Sequence, residues 1–567
     1  MWPRTFVDAL RDRAASTRAE NGYTFLKEGE GPGERLSYAE LDRRARALAA
    51  LLQERGAAGE RTLLPLPAGL DFITALFGCF YAGALALPVL PPDPLKAGTG
   101  QLELVARNSG ARFALSLGDA RQPPGALAGL QWIDVATIAK AAADSWRPPR
   151  LDETTPALIQ YTSGSTSEPK GVVVRHCNLI ANALAIQDVF RISQDSRGVS
   201  WLPPHHDMGL MGGILEPLLL GAETALMPPQ AFLQRPLRWL AAITRFRATT
   251  CGGPGFAYDL LARRVPEAAK AELDLSSWSV AFCGAEAVRA DVLDSFERAF
   301  APCGFRREAF LPCYGLAEAT LMVTGEREGA RPTVLDLDPK ALEQGRFEPA
   351  ASSAPGRPVV GCGRPARGVE VRIVDPESRE PRPAGHVGEV WVRGAGVAAG
   401  YWNEDEETRR SFAARLGNGE GPYLRTGDLG FLHQGELFPT GRLKDLIIVR
   451  GRNLYPQDLE ATLERAHAAV RPGRAVAFSA TTAADEEQLI VACEVNSHVR
   501  ATPSEITDAL KRSIALEHGV LPHAVVLLEP GALPRTPSGK PRRPICRALF
   551  EKGRLGSGQE PEGVGGS

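Results

Sequence analysis

The sequence predicts an α/β protein: a large N-terminal domain of packed mixed α/β subdomains with a β-rich subdomain at its end, followed by a small α+β C-terminal domain. Three observations lead there. Up to about Ala366, short β-branched or apolar runs alternate with Ala/Leu/Arg-rich segments of helical character. Beyond it strands and turn signals crowd together, and near Gly441 the texture changes again. The 567 residues exceed one core, since a domain spans roughly 100–200 residues.

Taken in order, the N-terminus carries Arg11-Asp12-Arg13 and so lacks the uninterrupted apolar core of a secretory signal. Residues 38–53 read as a helix. Residues 72–91 form the most apolar stretch and approach the ~20 residues that cross a bilayer, but Gly78, Gly83 and Pro88 punctuate it. It reads as a buried helix followed by a strand, without stable membrane insertion; a transmembrane span is the alternative. Strands are expected at 158–161, 172–174 and 279–283, and helices at 235–246 and 290–300, long enough to cover mostly parallel sheets. In the β-rich part, strands at 369–374 and 387–392 lie among turns at Pro376, Pro383-Ala384-Gly385 and Gly394. After Gly441 come a strand at 446–449, a helix at 457–469 and strands at 475–478 and 489–494. Residues 553–567, dominated by Gly, Ser, Glu and Pro, read as a disordered tail. There is no internal repeat.

Lys and Arg total 65 against 67 Asp and Glu, a formal charge of -2, which exerts no global pull towards nucleic acid or an anionic membrane. No basic stripe with interleaved aromatics marks a nucleic-acid site either. A polyanion must therefore be held locally. Nine cysteines without a Cys-x-x-Cys pair suit reduced, buried thiols in a cytoplasmic protein.

The strongest local signal follows the strand at 158–161: Tyr161-Thr162-Ser163-Gly164-Ser165-Thr166-Ser167-Glu168-Pro169-Lys170-Gly171. Small residues let backbone N–H groups approach an anion, hydroxyls add donors and a lysine adds charge. Lys170 follows Pro169 and precedes Gly171, unlike a nucleotide loop whose Gly-Lys-Ser/Thr opens a helix. Alone, the segment reads equally well as a flexible turn.

In company it is specific. The loop resembles the pyrophosphate-binding loop of the adenylate-forming superfamily of acyl-CoA synthetases, luciferases and peptide-synthetase adenylation domains. Further segments match in the family's order: Gly284-Ala285-Glu286, Tyr314-Gly315-Leu316-Ala317-Glu318, Tyr423-Leu424-Arg425-Thr426-Gly427-Asp428, Gly441-Arg442-Leu443-Lys444-Asp445 and Pro534-Arg535-Thr536-Pro537-Ser538-Gly539-Lys540. The resemblance covers nearly the whole chain and implies a carboxylate attacking the α-phosphate of ATP, the co-substrate. That encounter of two anions needs a cation, donors at the pentavalent centre and Mg²⁺ as Lewis acid and template.

By resemblance, Thr162, Ser163, Gly164, Ser165, Thr166 and Lys170 would surround the phosphates, with Thr162 or Thr320 assisting, and Glu318 would hold Mg²⁺. Tyr314 would lie against adenine, with Gly284-Ala285-Glu286 along its edge and Gly315, Leu316 and Ala317 completing the nucleotide site. Asp428 would accept from the ribose hydroxyls, joined at the sugar by Arg442. Lys540 would bridge carboxylate and α-phosphate. Lys444 would sit in a hinge, 442–445, about which the C-terminal domain (446–552) rotates against the N-terminal domain (1–441).

A narrower likeness rests on Trp201-Leu202-Pro203-Pro204-His205-His206-Asp207-Met208-Gly209-Leu210, on 251–259 and on 450–458. These are similar to fatty acyl-AMP ligases. In the family, the first segment places an aromatic or histidine beside the acyl carboxylate, which makes His206 a catalytic candidate; zinc would need a third spaced ligand. The long stretch between Glu326 and Gly363 (insertion about 326–362) supports the likeness, with a small strand at 334–337, a helix around 341–342 and a loop at 350–358. In fatty acyl-AMP ligases such an insertion packs on the C-terminal domain and accompanies poor use of free coenzyme A; a tolerated surface insertion is the plain alternative. The acyl pocket is expected at Met211, Ile214, Gly253 and Phe256, with glycines leaving room for a chain. The implied partners are a fatty acid and a separate acyl carrier protein, or a carrier domain of a polyketide or peptide synthetase, with the enzyme acting as a monomer. A coenzyme A-using synthetase and a non-catalytic nucleotide-binding regulator are the competing readings.

Overall fold

Two long sheets carry the N-terminal domain in the computed structural model, which describes residues 2–92, 100–118, 127–136, 143–162, 169–351, 356–449, 452–481, 487–496, 498–536 and 539–556. The first has nine strands. Its pairings run parallel from Phe310–Gly315 through Val280–Cys283, Thr250–Gly253, Arg197–Ser200 and Glu223–Leu226 to Gly22–Phe25, and antiparallel strands close both edges. The second has seven, with Pro156–Thr162 parallel to Leu85–Pro88 on one side and antiparallel to Lys170–Arg175 on the other. Strands covered on both faces should read as unbroken apolar runs. Val280–Cys283 and Leu85–Pro88 are buried at every position.

The apolar stretch at 72–91 resolves as the helix Leu70–Ala82, ended by Gly83 in the left-handed region, and the strand Leu85–Pro88. The helix is buried on all sides because Tyr38–Glu54 crosses it at Gly78, where a Cβ would sit 2.4 Å from Leu48. No described helix is long and apolar enough to cross a membrane.

A four-stranded antiparallel sheet, Val369–Val374, Gly388–Gly394, Leu424–His433 and Glu436–Arg442, forms the β-rich part. Against it lies the insertion, where Val334–Leu337 and Arg357–Val360 pair around the helix Pro339–Glu343. Leu337, Leu342 and Val359 share a buried cluster with Phe431, Phe438 and Tyr455. The C-terminal domain has its own core under the helices Pro456–Ala466 and Pro503–His518 and the sheet Val470–Thr481, Glu487–Val495 and Ala524–Leu528.

Four expectations need correction. The helix at 235–246 starts two residues later, as Leu237–Phe246, because Pro236 disfavours helical geometry at Arg235, which instead ends a separate short helix, Pro229–Gln234. The helix at 457–469 ends at Ala466, where His467 turns extended. The loop at 350–358 ends in a strand, since Arg357 and Pro358 pair with Leu337 and Asp336; residues 352–355 lie outside the described residues. The tail begins later than Gly553: the Arg554 and Leu555 amides donate to the Leu549 carbonyl, and Leu555 packs on the core beneath it. Residues 557–567 lie outside the described residues.

Candidate active site

A cleft of about 2970 Å³ runs between the C-terminal ends of the N-terminal strands and the C-terminal domain. Open α/β sheets place their sites at strand carboxyl ends. One corner of it is built by two neighbouring strands: Asp428 and Arg442 are cross-strand partners, with Arg442 Nε 3.2 Å from Asp428 Oδ1. Tyr314 donates its hydroxyl to Asp428 Oδ2 at 2.8 Å. Each carboxylate oxygen keeps a second lone pair for a further donor. Thr426 shapes the turn beneath, accepting from the Asp428 amide and donating to the Val390 carbonyl. Glycine is required at 315, where a Cβ would stand 1.8 Å from the Leu321 carbonyl oxygen, and at 284, where Cys313 crowds it at 2.8 Å.

The acidic turn after Tyr314 is strained. Thr320 has φ 69° and ψ -53°, and the Leu321 amide bonds the Ala319 carbonyl across it. This is a γ-turn, rare for a β-branched residue. Asn182, from the helix His176–Phe190, holds it in place: Nδ2 donates to the Ala319 and Met322 carbonyls and Oδ1 accepts from the Met322 amide. Four residues earlier on the same face, Asn178 donates to the carbonyls of Ala395 and Val397. Thr320 itself is buried and donates to the Gly396 carbonyl, which ties the turn to the 395–397 segment. Glu318 accepts from the Tyr401 hydroxyl at 2.8 Å, and burial raises its pKa.

The phosphate loop joins two antiparallel strands, and Thr162 and Lys170 are its last paired residues. Ser163, Gly164, Ser165 and Thr166 lie outside the described residues. Lys170 Nζ rests 2.8 Å from Glu407 Oε1 and 5.0 Å above the Tyr401 ring.

On the acyl side, Gln160 donates to the His205 carbonyl at 2.6 Å, and the His205 and His206 rings lie 4.6 Å apart. Burial, reinforced by the Lys540 charge, brings His206 down to about 4, so it is a neutral imidazole at neutral pH. Its Nε2 is buried without a hydrogen-bond partner among the described residues. Lys540 reaches in from the C-terminal domain and donates to the Ala285 carbonyl; burial first, then Arg442, lowers its pKa. Ala285 turns into the left-handed region at φ 67°, exposing that carbonyl, while Glu286 accepts from the Phe256 amide.

Phe256 lines the cleft, but three other expected pocket residues do not. Met211 and Ile214 are 1% and 2% exposed in the core, whereas Met208, Gly209 and Gly212 face the cleft. The segment Met211–Leu215 is a π-helical turn, which shifts the α-helical register. A Cβ at Gly253 would stand 3.0 Å from the Trp201 ring, and it is Trp201 that reaches the cleft.

Between domains, the insertion grips the C-terminal domain. Arg452 makes two bonds to Glu343, at 2.7 and 2.9 Å. Arg357 meets Asp458 at 3.0 Å and lies 4.5 Å above the Tyr455 ring. Lys444 sits in the 3-10 turn Leu443–Asp445, whose Asp445 accepts from Arg543 at 3.1 Å. Sequence reading missed Tyr401, Glu407, Asn178 and Asn182; the two asparagines, spaced by four in an apolar helix, were the available signal.

Comparisons with known proteins place the chain in a family. The family described as AMP-binding enzyme matches residues 11–402, and the Disco-interacting protein 2-like AMP domain matches 444–559. The chain is 42% identical to the medium-chain-fatty-acid–[acyl-carrier-protein] ligase JamA of Moorena producens, over 97% of this chain and 96% of that one. It is 36% identical to the long-chain-fatty-acid–AMP ligase FadD32 of Mycolicibacterium smegmatis, covering 97% and 94%. Among solved structures, a fatty acyl-adenylate ligase from L. pneumophila, in complex with acyl adenylate and pyrophosphate, superposes with a TM-score of 0.76 at 40% identity, covering 96% of each chain.

Proposed function

Because this chain belongs to the AMP-binding enzyme family and to its fatty acyl-AMP ligases, we propose that it activates a fatty acid with ATP and passes the acyl group to the phosphopantetheine thiol of an acyl carrier protein. In the first step a carboxylate oxygen bonds to the α-phosphorus and the bond to pyrophosphate breaks. In the second, the carrier sulfur bonds to the acyl carbon, AMP leaves and the thiol proton is released.

The observation that carries the reading is the convergence of Lys540 with His206, Asp428 and Arg442 at one cleft. Lys540 supplies charge where the two anions meet, and neutral His206 has an unpartnered ring nitrogen to orient the acid. Asp428 and Tyr314 support nucleotide binding. The Glu318 carboxylate borders the cleft, which suits Mg²⁺, commonly held by one or two carboxylates plus substrate phosphates. Glu318 would hold it, and the ion would supply Lewis-acid stabilisation of the phosphates. The grip of the insertion on the C-terminal domain supports a carrier over free coenzyme A. The same reading has the protein act as a monomer in the cytoplasm; nine free cysteines, mostly buried, suit that reducing compartment.

The test is mass spectrometry of products from a panel of fatty acids with ATP and Mg²⁺, with phosphopantetheinylated carrier, with coenzyme A, or with neither. Acyl-AMP alone, then acyl-carrier, is expected. Rapid acyl-CoA would overturn the acceptor, and absence of acyl-AMP from every acid would overturn the activity.

A further inference from the structure

The phosphate-loop lysine is already engaged by the protein. Lys170 and Glu407 meet at 2.8 Å with side chains 25% and 18% exposed, and both line the cleft together with Tyr401, Arg410 and Ser411. Their backbones are tied: Tyr401 pairs with Val172 of the lysine's own strand, and the helix Asp405–Phe412 follows directly. A lysine ammonium on a four-carbon stem can swing while its backbone stays fixed.

We propose that Glu407 is a positioning residue that holds Lys170 while the phosphate site is empty, yields it to the phosphates of ATP, and reclaims it as pyrophosphate leaves. The proposal rests on Lys170 being the phosphate-binding cation.

Two features make the exchange workable. Glu407 is not stranded when Lys170 departs, because its second oxygen meets Arg410 at 2.5 Å and Ser411 lies 3.4 Å from the first. A buried carboxylate stripped of every partner would resist such an exchange. Burial acts to raise the Glu407 pKa, but Lys170 and Arg410 outweigh it and bring it down to about 2, so the carboxylate stays a competing anion throughout the working pH range. In this arrangement the ammonium also lies over the Tyr401 ring, whose hydroxyl bonds Glu318.

An intramolecular anion that competes with phosphate weakens ATP and pyrophosphate alike and hastens the departure of pyrophosphate. The full-length enzyme carrying Glu407→Gln is expected to show KM for ATP and the inhibition constant of pyrophosphate both lowered about three- to fivefold, the scale of a partly exposed ion pair. KM for the fatty acid should be unchanged, and pyrophosphate release should slow in a stopped-flow phosphate assay. Arg410→Ala, which leaves Lys170 as the one cation on Glu407 among the described residues, should shift both constants the other way. Lys170→Met should raise both and abolish the effect of Glu407→Gln in the double variant. Unchanged ATP and pyrophosphate constants in folded Glu407→Gln, with Lys170→Met still raising them, would overturn the proposal and leave the phosphate role of Lys170 intact. No effect of Lys170→Met would remove that role, and the proposal with it.

Discussion

The nucleotide corner and the segment bearing Lys540 face each other across one cleft but are held in opposite ways. Asp428 and Arg442 stand on paired strands, and Asp428 meets both Arg442 and Tyr314, which comes from the nine-stranded sheet. Lys540 lies in a short stretch between Ala524–Leu528 and Arg543–Glu551, steadied by the bond of its amide to Thr536 Oγ1 and by its own reach to Ala285. A preorganised pocket needs little reordering when a ligand binds, whereas Lys540, if the C-terminal domain rotates between steps as the family resemblance implies, would be present for one step and absent for the next. The difference teaches that substitutions in the two regions should fail in different half-reactions.

The sharpest test is Lys540→Ala. Adenylate formation, read by ATP–pyrophosphate exchange, should fall about 10²–10³-fold, the typical loss for one preorganised charge donor. Transfer of the acyl group from preformed acyl-AMP to carrier should stay near wild type. Equal loss in both steps would break the contrast.

The rigid side can be broken at its support. Asn182→Ala leaves two buried carbonyls and an amide of the Glu318 turn without their partner, a loss of roughly 2–4 kcal/mol in denaturant unfolding. Unlike Lys540→Ala, it should also raise KM for ATP, because the strained Thr320 turn has lost its brace. A variant that loses stability but keeps its ATP affinity would show that the turn holds itself.

Rigidity is not uniform, and Glu216 marks the weak place. It is 2% exposed, with both oxygens unpartnered among the described residues, and burial raises its pKa well above the carboxylate norm. For a carboxyl raised in the folded state, stability is greatest below the unfolded pKa and declines as pH rises through it, because the unfolded chain ionises first. Glu216→Leu should therefore stabilise by roughly 1–3 kcal/mol at neutral pH, with the gain shrinking towards pH 4. A gain independent of pH would mean that shape, not ionisation, is at issue.

Much of this was legible beforehand. Strands buried on both faces announce themselves as apolar runs, and Gly284 and Gly315 mark places where backbone meets backbone. Contacts between distant segments left no such trace. Tyr401 bonds Glu318 across 83 residues, and nothing local to either residue signals the partner. Met211 and Ile214 were expected in the pocket for their apolar character and nearby glycines, and these do not distinguish a pocket wall from the core in which both are buried. Pro236 was a breaker in plain view, and the strand Arg357–Val360 was hidden by the prolines and small residues before it.

The smallest expected effect decides how the two regions are kept together. Arg452 and Glu343 join the C-terminal domain to the insertion with side chains 36% and 16% exposed, so their pair contributes about 1 kcal/mol or less. Arg452→Ala should leave adenylation within error of wild type and lower stability by more than the pair alone, because the guanidinium also donates to the His518 and Gly519 carbonyls. If the pair restrains rotation of the C-terminal domain, a change of ~1 kcal/mol moves a two-state population only about fivefold, and coenzyme A use should rise by no more than that. Adding Arg357→Ala, which also removes the contacts to Asp458 and Tyr455, should raise it further, while carrier acylation holds. Should acyl-CoA formation in the double variant remain at the wild-type level, the insertion's grip would be a packing contact, and the barrier to coenzyme A would have to lie in the cleft itself.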